Sequence, residues 1–179
     1  VVYTEAFGPA AYIGRARVVP LRNMGAAISP FNSFLILQGI ETLALRMDRI
    51  CDNSLALAKY LQKHPKVKWV NYAGLPDNAS HALAQKYMGG RASGILTFGI
   101  DGGRPAGARF QDALKLFTRL VNIGDAKSLA CHPASTTHRQ LNPAELAKAG
   151  VSEDMVRLSV GIEHVDDLLA DLEQALAAA

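Results

Sequence analysis

The sequence contains little cysteine, no long apolar run and no dense cluster of positive charge. Its two cysteines, Cys51 and Cys131, form neither a disulfide framework nor a CxxC motif, so a reducing, cytoplasmic location is expected. No apolar stretch reaches the roughly 18 residues of a membrane span, and no signal peptide is recognisable. Lysine and arginine are scattered along a chain of net charge +3, which argues against nucleic acid and membranes as partners.

Motifs for phosphate binding, hydrolysis and metal binding are also absent. Neither G-x-G-x-x-G nor G-x-x-x-x-G-K-[ST] occurs, and there is no G-x-S-x-G, H-E-x-x-H or EF-hand loop. Cys131, His132 and His138 lie close together, but they lack a further ligand at a usual zinc spacing. We therefore predict no metal site, and we interpret residues 131–138 as a polar loop that helps to shape a pocket.

The chain of 179 residues divides into a helical first part and a mixed second part. Ser29-Pro30 is typical of a helix start, and apolar residues at helical spacing follow until His64-Pro65. A helix over residues 30–63 would be roughly 50 Å long, so we interpret it as a bridge between two lobes. Residues 1–63 are therefore assigned to the edge of a larger domain and its bridging helix, and residues 64–179 to a C-terminal α+β domain.

After Pro65 the pattern changes to short strands that alternate with short helices. The predicted fold class is therefore α+β, with a small, mostly antiparallel sheet that is covered by helices on one face and preceded by the long bridging helix. Strands are predicted at residues 67–72, 94–100, 127–130 and 155–160, helix starts at Pro105 and Asn142-Pro143, and an extended segment at residues 18–21.

Arg157 is the strongest functional candidate. Val156, Leu158 and Val160 alternate with Arg157 and Ser159, which is the period of a half-buried strand. A guanidinium held on a strand presents a planar fork, which suits a carboxylate bound by two parallel hydrogen bonds. The alternative interpretation is an ordinary arginine on a solvated sheet face.

Three longer segments match known motifs in their order and spacing. They are residues 25–47 (GAAISPFNSFLILQGIETLALRM), residues 122–138 (NIGDAKSLACHPASTTH) and residues 156–163 (VRLSVGIE). Together they closely resemble the C-terminal part of the Cys/Met-metabolism family of pyridoxal-phosphate (PLP) enzymes, and the resemblance extends over essentially the whole chain. It is greatest to the branch that makes homocysteine from O-acetylhomoserine and sulfide. The absence of a methionine before Val1 fits a piece of a longer protein.

The resemblance implies the C-terminal domain of a fold-type I PLP enzyme and assigns roles to particular residues. Arg157 matches the arginine that binds the α-carboxylate of the substrate. Asn122 stands where many relatives have a serine beside the catalytic lysine, and Ser128 matches a segment near the mouth of the active site. Both are expected to bind substrate. The implied partners are a small amino-acid substrate and further copies of the chain in a homo-oligomer, a dimer or a tetramer.

No catalytic or cofactor-binding residue is expected within this chain. In the family, the lysine that forms the internal aldimine with PLP lies in a Ser/Thr-Lys motif upstream of the region resembled here, and none of the eight lysines lies in such a motif. PLP is therefore expected in the complete enzyme but not in this chain alone. Two alternatives stay open: a γ-lyase or cystathionine enzyme on the same scaffold, and a non-catalytic α+β binding or oligomerisation module.

Overall fold

The computed structural model describes residues 2–179. The chain forms two compact units, Val1–Leu43 and Ala44–Ala179. Within the described residues, no helix is both long and apolar enough to cross a membrane. The second unit contains the whole β-sheet and the candidate residues Asn122, Ser128 and Arg157.

The first unit is almost entirely helical. The extended segment predicted at residues 18–21 is wrong, because the chain forms a π-helical turn there with Pro20 inside it. Proline lacks an N–H group and clashes with the preceding turn of a regular helix, and the wider π turn accommodates it. The elements of this unit are α1 (Val2–Phe7), a 3₁₀ turn (Gly8–Ala10), α2 (Ala11–Ala16), the π turn (Arg17–Leu21), α3 (Arg22–Met24) and α4 (Pro30–Glu41).

The continuous helix predicted over residues 30–63 is in fact two helices. It begins as predicted, since the Ser29 hydroxyl caps α4 by accepting the Asn32 N–H at 3.1 Å. The helix stops before Thr42, and α5 (Leu43–Leu61) follows it. Thr42 has φ −101° and ψ 3°, outside the helical region. Threonine is a poor helix former because its branched side chain loses rotamer freedom in a helix, which favours the break at this position.

The second unit is built on one five-stranded sheet with the spatial order β1-β2-β5-β4-β3. Its strands are β1 (Val67–Asn71), β2 (Ile95–Ile100), β3 (Thr118–Arg119), β4 (Leu129–Cys131) and β5 (Met155–Ser159). All neighbouring strands pair antiparallel except β3 and β4, which are parallel. The prediction of a small, mostly antiparallel sheet is confirmed, and the strand that carries Arg157 lies at its centre.

The main core lies between one face of the sheet and the helices of this unit. Phe98 of β2 meets Phe110 edge to face, with 5.7 Å between ring centroids, and both side chains are fully buried. Val156 and Leu158 of β5 belong to the same core. The helices of this core are α5, α6 (His81–Met88), α7 (Gly103–Ala113) and α9 (Val165–Ala178). A 3₁₀ turn (Pro133–Ser135) and α8 (Pro143–Lys148) pack through Ala134 and Leu146 in a second, smaller cluster.

The start of α8 is stabilised by a capping box. Asn142 Oδ1 accepts the N–H groups of Ala144 and Glu145, both at 3.0 Å, and the Glu145 carboxylate accepts the Asn142 N–H at 2.9 Å. We expect Asn142→Ala to lower the free energy of unfolding of the chain by about 1 kcal/mol, because two helix N–H groups lose their acceptor. Urea denaturation measures this loss. Lys148→Ala on the same helix is the control, and an equal loss in both variants would contradict the prediction.

Candidate functional site

Arg157 lies on the sheet face that points away from the main core. Its partners on the neighbouring strands are Thr97 of β2 and Cys131 of β4. Val156 and Leu158 are fully buried on the core side, so the pleat of the strand turns the guanidinium to the opposite face. The side chain is half-buried. The predicted strand and its alternation are therefore confirmed.

Arg157 has no acidic partner within the described residues 2–179. Arg91, Arg104 and Arg119 each form an ion pair with an aspartate or a glutamate, whereas no carboxylate of the described chain lies within 4.0 Å of the Arg157 guanidinium. Its Nη2 donates to the carbonyl oxygen of Asn122 at 3.3 Å. Because a guanidinium carries five N–H donors, Arg157 retains donors for an incoming anion.

The thiol of Cys131 lies beside Arg157 on the adjacent strand. Burial raises the pKa of Cys131, and the hydrogen bond and charge of Arg157 lower it in part. The net effect is a pKa above the ordinary value of the thiol, so the group stays neutral near pH 7. The thiol therefore does not compensate the positive charge of the arginine.

Asn122 contacts Arg157 through a main-chain hydrogen bond, not through its side chain. Its carbonyl oxygen accepts the guanidinium hydrogen bond, while its exposed side-chain oxygen accepts the N–H of Ile123 at 2.9 Å. The structure thus brings two of the three predicted site residues together. A contact between the Asn122 side chain and a substrate stays a prediction.

Ser128 is fully buried just before β4. Its hydroxyl donates to the Glu163 carboxylate at 2.8 Å and accepts the N–H of Gly161 at 2.8 Å. The one proton of the hydroxyl is therefore already donated to Glu163. A direct contact between Ser128 and the substrate stays a prediction. Glu163 received no role from the sequence, although it ends the third matched segment; its position in that motif was the available signal.

The polar loop that follows β4 is fixed by His132. Its Nδ1 lies 2.9 Å from Ser135 Oγ, and its Nε2 lies 2.9 Å from the carbonyl oxygen of Glu153. As predicted, this loop lines a pocket, a cavity of about 390 Å³ beside α7. Arg157 is not among the residues that line the cavity, although Cys131, its partner on β4, is one of them. The lining includes Arg104, Gln111, Arg119, Val121, His132 and Thr136.

Buried thiol and phenol groups predict a loss of stability at alkaline pH. Burial raises the pKa of Cys51, Cys131 and Tyr72 above their ordinary values. The unfolded chain therefore releases these protons at a lower pH than the folded chain. We expect these groups to contribute their full stabilisation below about pH 8 and to lose it progressively above about pH 9.

Urea midpoints at about pH 8 and about pH 10.5 measure this loss. Tyr72→Phe removes one of the three groups, and the variant should lose less stability over the same interval. An identical loss in the variant and the parent chain would show that Tyr72 does not contribute.

Comparison with known proteins gives matches along nearly the whole chain. The family described as Cys/Met metabolism PLP-dependent enzyme matches residues 8–177. O-acetyl-L-homoserine sulfhydrylase 1 of Thermus thermophilus is 55% identical over 174 residues, which are 97% of this chain and 41% of that protein. Homocysteine synthase of Schizosaccharomyces pombe is 51% identical over 178 residues, which are 99% of this chain and 42% of that protein.

A solved structure also matches most of this chain and a smaller part of its own length. An O-acetylhomoserine (thiol)-lyase from Campylobacter jejuni, which carries N′-pyridoxyl-lysine-5′-monophosphate, has a TM-score of 0.85 and 45% sequence identity to this chain. The match covers 91% of this chain and 39% of that one. The chain thus spans about two fifths of the length of the proteins that it matches.

Proposed function

Because this chain belongs to the Cys/Met-metabolism family of PLP-dependent enzymes, we propose that it forms the part of an O-acetylhomoserine sulfhydrylase that binds the substrate carboxylate. The complete enzyme replaces the γ-acetoxy group of O-acetylhomoserine by sulfide, which yields homocysteine and acetate. The names and identities of the relatives described above support this reaction.

The observation that carries this proposal is the unpaired charge of Arg157. A half-buried guanidinium without a carboxylate partner is costly unless something compensates it. The α-carboxylate of an amino acid matches its fork in shape and charge. The carbonyl of Asn122 holds Nη2, which restricts how the guanidinium can turn. Arg157 therefore binds and orients the substrate, while the neutral thiol of Cys131 leaves its charge available.

The residues of this chain suit the substrate carboxylate but not a covalent link to PLP. Seven of the eight lysines are exposed, and the ammonium of the remaining one, Lys66, donates to the carbonyls of Leu176, Ala177 and Ala179. Within this chain alone, none of them lies in the buried environment that an activated lysine needs. PLP supplies an electron sink for the reaction when it is bound. Its covalent anchor is assigned to the part of the enzyme outside this chain.

This assignment predicts the behaviour of the 179-residue chain with PLP. After mixing and reduction with borohydride, we expect only weak labelling spread over the exposed lysines. Mass spectrometry of the peptides measures the distribution. Stoichiometric labelling of one specific lysine would contradict the assignment, because it would place a cofactor anchor inside this chain.

Assembly into a cytoplasmic homo-oligomer is a further part of the proposal. Large apolar side chains of α4 are exposed within this chain, and such a surface is normally covered by protein. The remainder of the enzyme and further subunits are the proposed cover. The exposed residues are Phe31, Phe34, Leu35, Ile36, Leu37 and Ile40.

A product assay of the complete enzyme tests the proposed reaction. With O-acetylhomoserine and sulfide we expect homocysteine as the main product. Cystathionine formed preferentially from cysteine would instead identify a cystathionine enzyme, and cleavage of methionine as the main activity would identify a γ-lyase. No product under any of these conditions would favour the non-catalytic alternative.

A further inference from the structure

A half-buried carboxylate, that of Glu163, ties together the chain segments that flank Arg157. Glu163 Oε1 accepts the backbone N–H of Ser128 at 2.6 Å, and Oε2 accepts the Ser128 hydroxyl at 2.8 Å. The same hydroxyl accepts the N–H of Gly161 at 2.8 Å. We call this set of contacts among Ser128, Gly161 and Glu163 the carboxylate clasp. It joins the segment before β4 to the segment after β5.

The clasp is closely packed around Gly161. A Cβ atom at this position would lie 2.3 Å from the carbonyl oxygen of Ala126 and 2.5 Å from Glu163 Oε2, so only glycine fits. The N–H of Ile162 donates to the same Ala126 oxygen at 3.0 Å. Asn53 Nδ2 donates to the carbonyls of Gly161 and Glu163 at 3.0 and 2.9 Å and fixes this turn from the side of α5.

The segment that the clasp holds is the one that contacts Arg157. Residues 122–128 run from the Asn122 carbonyl, which accepts the guanidinium hydrogen bond, to Ser128 in the clasp. The turn at Gly124 has φ +76°, and the Asp125 side chain accepts the N–H of Lys127 at 3.0 Å. The segment is therefore short and internally bonded, so a displacement at Ser128 is transmitted to Asn122.

We propose that Glu163 is a positioning residue for substrate binding: through Ser128 it fixes residues 122–128 and so sets the orientation of the Arg157 guanidinium. This inference rests on the proposed function, because it assumes that Arg157 binds the substrate carboxylate. Ser128 acts in the same way, through the placement of Asn122. The carboxylate is required because one group must accept from both the amide and the hydroxyl of Ser128, and a carboxylate has two oxygens for this purpose.

The test uses the complete holoenzyme and two ligands that differ only in the α-carboxylate, norleucine and n-pentylamine. In Glu163→Gln one acceptor oxygen becomes an NH₂ donor, so the proton of the Ser128 hydroxyl loses its acceptor and the charge-assisted bonds of the clasp are weakened. We expect the Kd of norleucine to rise about 10-fold, as small misplacements of a binding group weaken its contacts, and the Kd of pentylamine to stay within about 2-fold. Isothermal titration measures both constants.

Two further variants separate positioning from a general loss of stability. Ser128→Ala removes only the hydroxyl of the clasp and should reproduce the selective loss of norleucine affinity. Tyr72→Phe removes another buried hydroxyl, which donates to the Ala92 carbonyl at 2.6 Å away from the arginine, and should leave both affinities unchanged. Hydrogen exchange of the Ser128 and Gly161 amides should quicken in Glu163→Gln and remain slow in Tyr72→Phe.

The outcomes also distinguish this inference from the proposed function. If Glu163→Gln and Ser128→Ala bind norleucine as the parent does, while Arg157→Ala does not, the positioning role is wrong and the carboxylate role of Arg157 survives. An equal loss for both ligands in Glu163→Gln would overturn the inference as well, because it would show general damage to the site. If Arg157→Ala itself binds norleucine normally, the proposed function loses its central residue.

Discussion

Replacing Arg157 by alanine is expected to lower kcat/KM of the complete enzyme for its amino-acid substrate by about 100-fold, or about 2.7 kcal/mol. The variant loses the hydrogen bonds and the charge that the half-buried guanidinium offers to the α-carboxylate. Because binding and orientation are both lost, KM should rise and kcat should fall. Steady-state kinetics with O-acetylhomoserine and sulfide measure both constants.

Arg157→Lys provides a matched comparison for this prediction. Lysine keeps the positive charge but offers no planar fork, so its kcat/KM should lie between those of the parent and of the alanine variant. Arg109→Ala is the control, since this arginine is exposed on α7. A kcat/KM for Arg157→Ala equal to that of Arg109→Ala would remove Arg157 from the binding site.

Replacing Asp171 by alanine should lower the free energy of unfolding of the chain by about 3 kcal/mol. The buried carboxylate of Asp171, on α9, accepts three successive backbone N–H groups, those of Lys115, Leu116 and Phe117, at 2.8 to 2.9 Å. These donors belong to the turn between α7 and β3. Without the carboxylate these N–H groups lose their acceptor, and the unpaired N–H of the buried Phe117 is the main source of the loss.

Urea denaturation followed by circular dichroism measures the effect. Asp171→Asn keeps one acceptor oxygen and should lose less stability than Asp171→Ala. Asp167→Ala removes an exposed acid from the first turn of the same helix and should lose less than about 1 kcal/mol. If the Asp171 and Asp167 variants lose the same amount, the carboxylate does not hold the turn.

Local sequence patterns predicted the strands and helices that have a regular spacing of apolar residues or a clear capping residue at their start. The alternation around Arg157 predicted β5, and Asn142-Pro143 predicted the start of α8, because each signal lies within a few adjacent residues. β3 was not predicted, since Thr118–Arg119 is too short and too exposed to show a period. The break at Thr42 was missed because the apolar spacing continues across it.

The contacts that organise the candidate site join residues that are far apart in the chain. Ser128 and Glu163 are separated by 35 residues, and Asn122 and Arg157 also by 35. No local pattern encodes such a pairing. The role proposed for Arg157 came from its strand and from the family resemblance, whereas its lack of an acidic partner is visible only in the folded chain.

A crystal structure of the complete enzyme with bound norleucine is the most direct measurement of where the substrate carboxylate lies. The proposal predicts two guanidinium nitrogens of Arg157 about 3 Å from the two carboxylate oxygens of the ligand, with Nη2 still bonded to the Asn122 carbonyl. A ligand carboxylate bound by other residues, with Arg157 paired to an acid of the remaining protein, would contradict it.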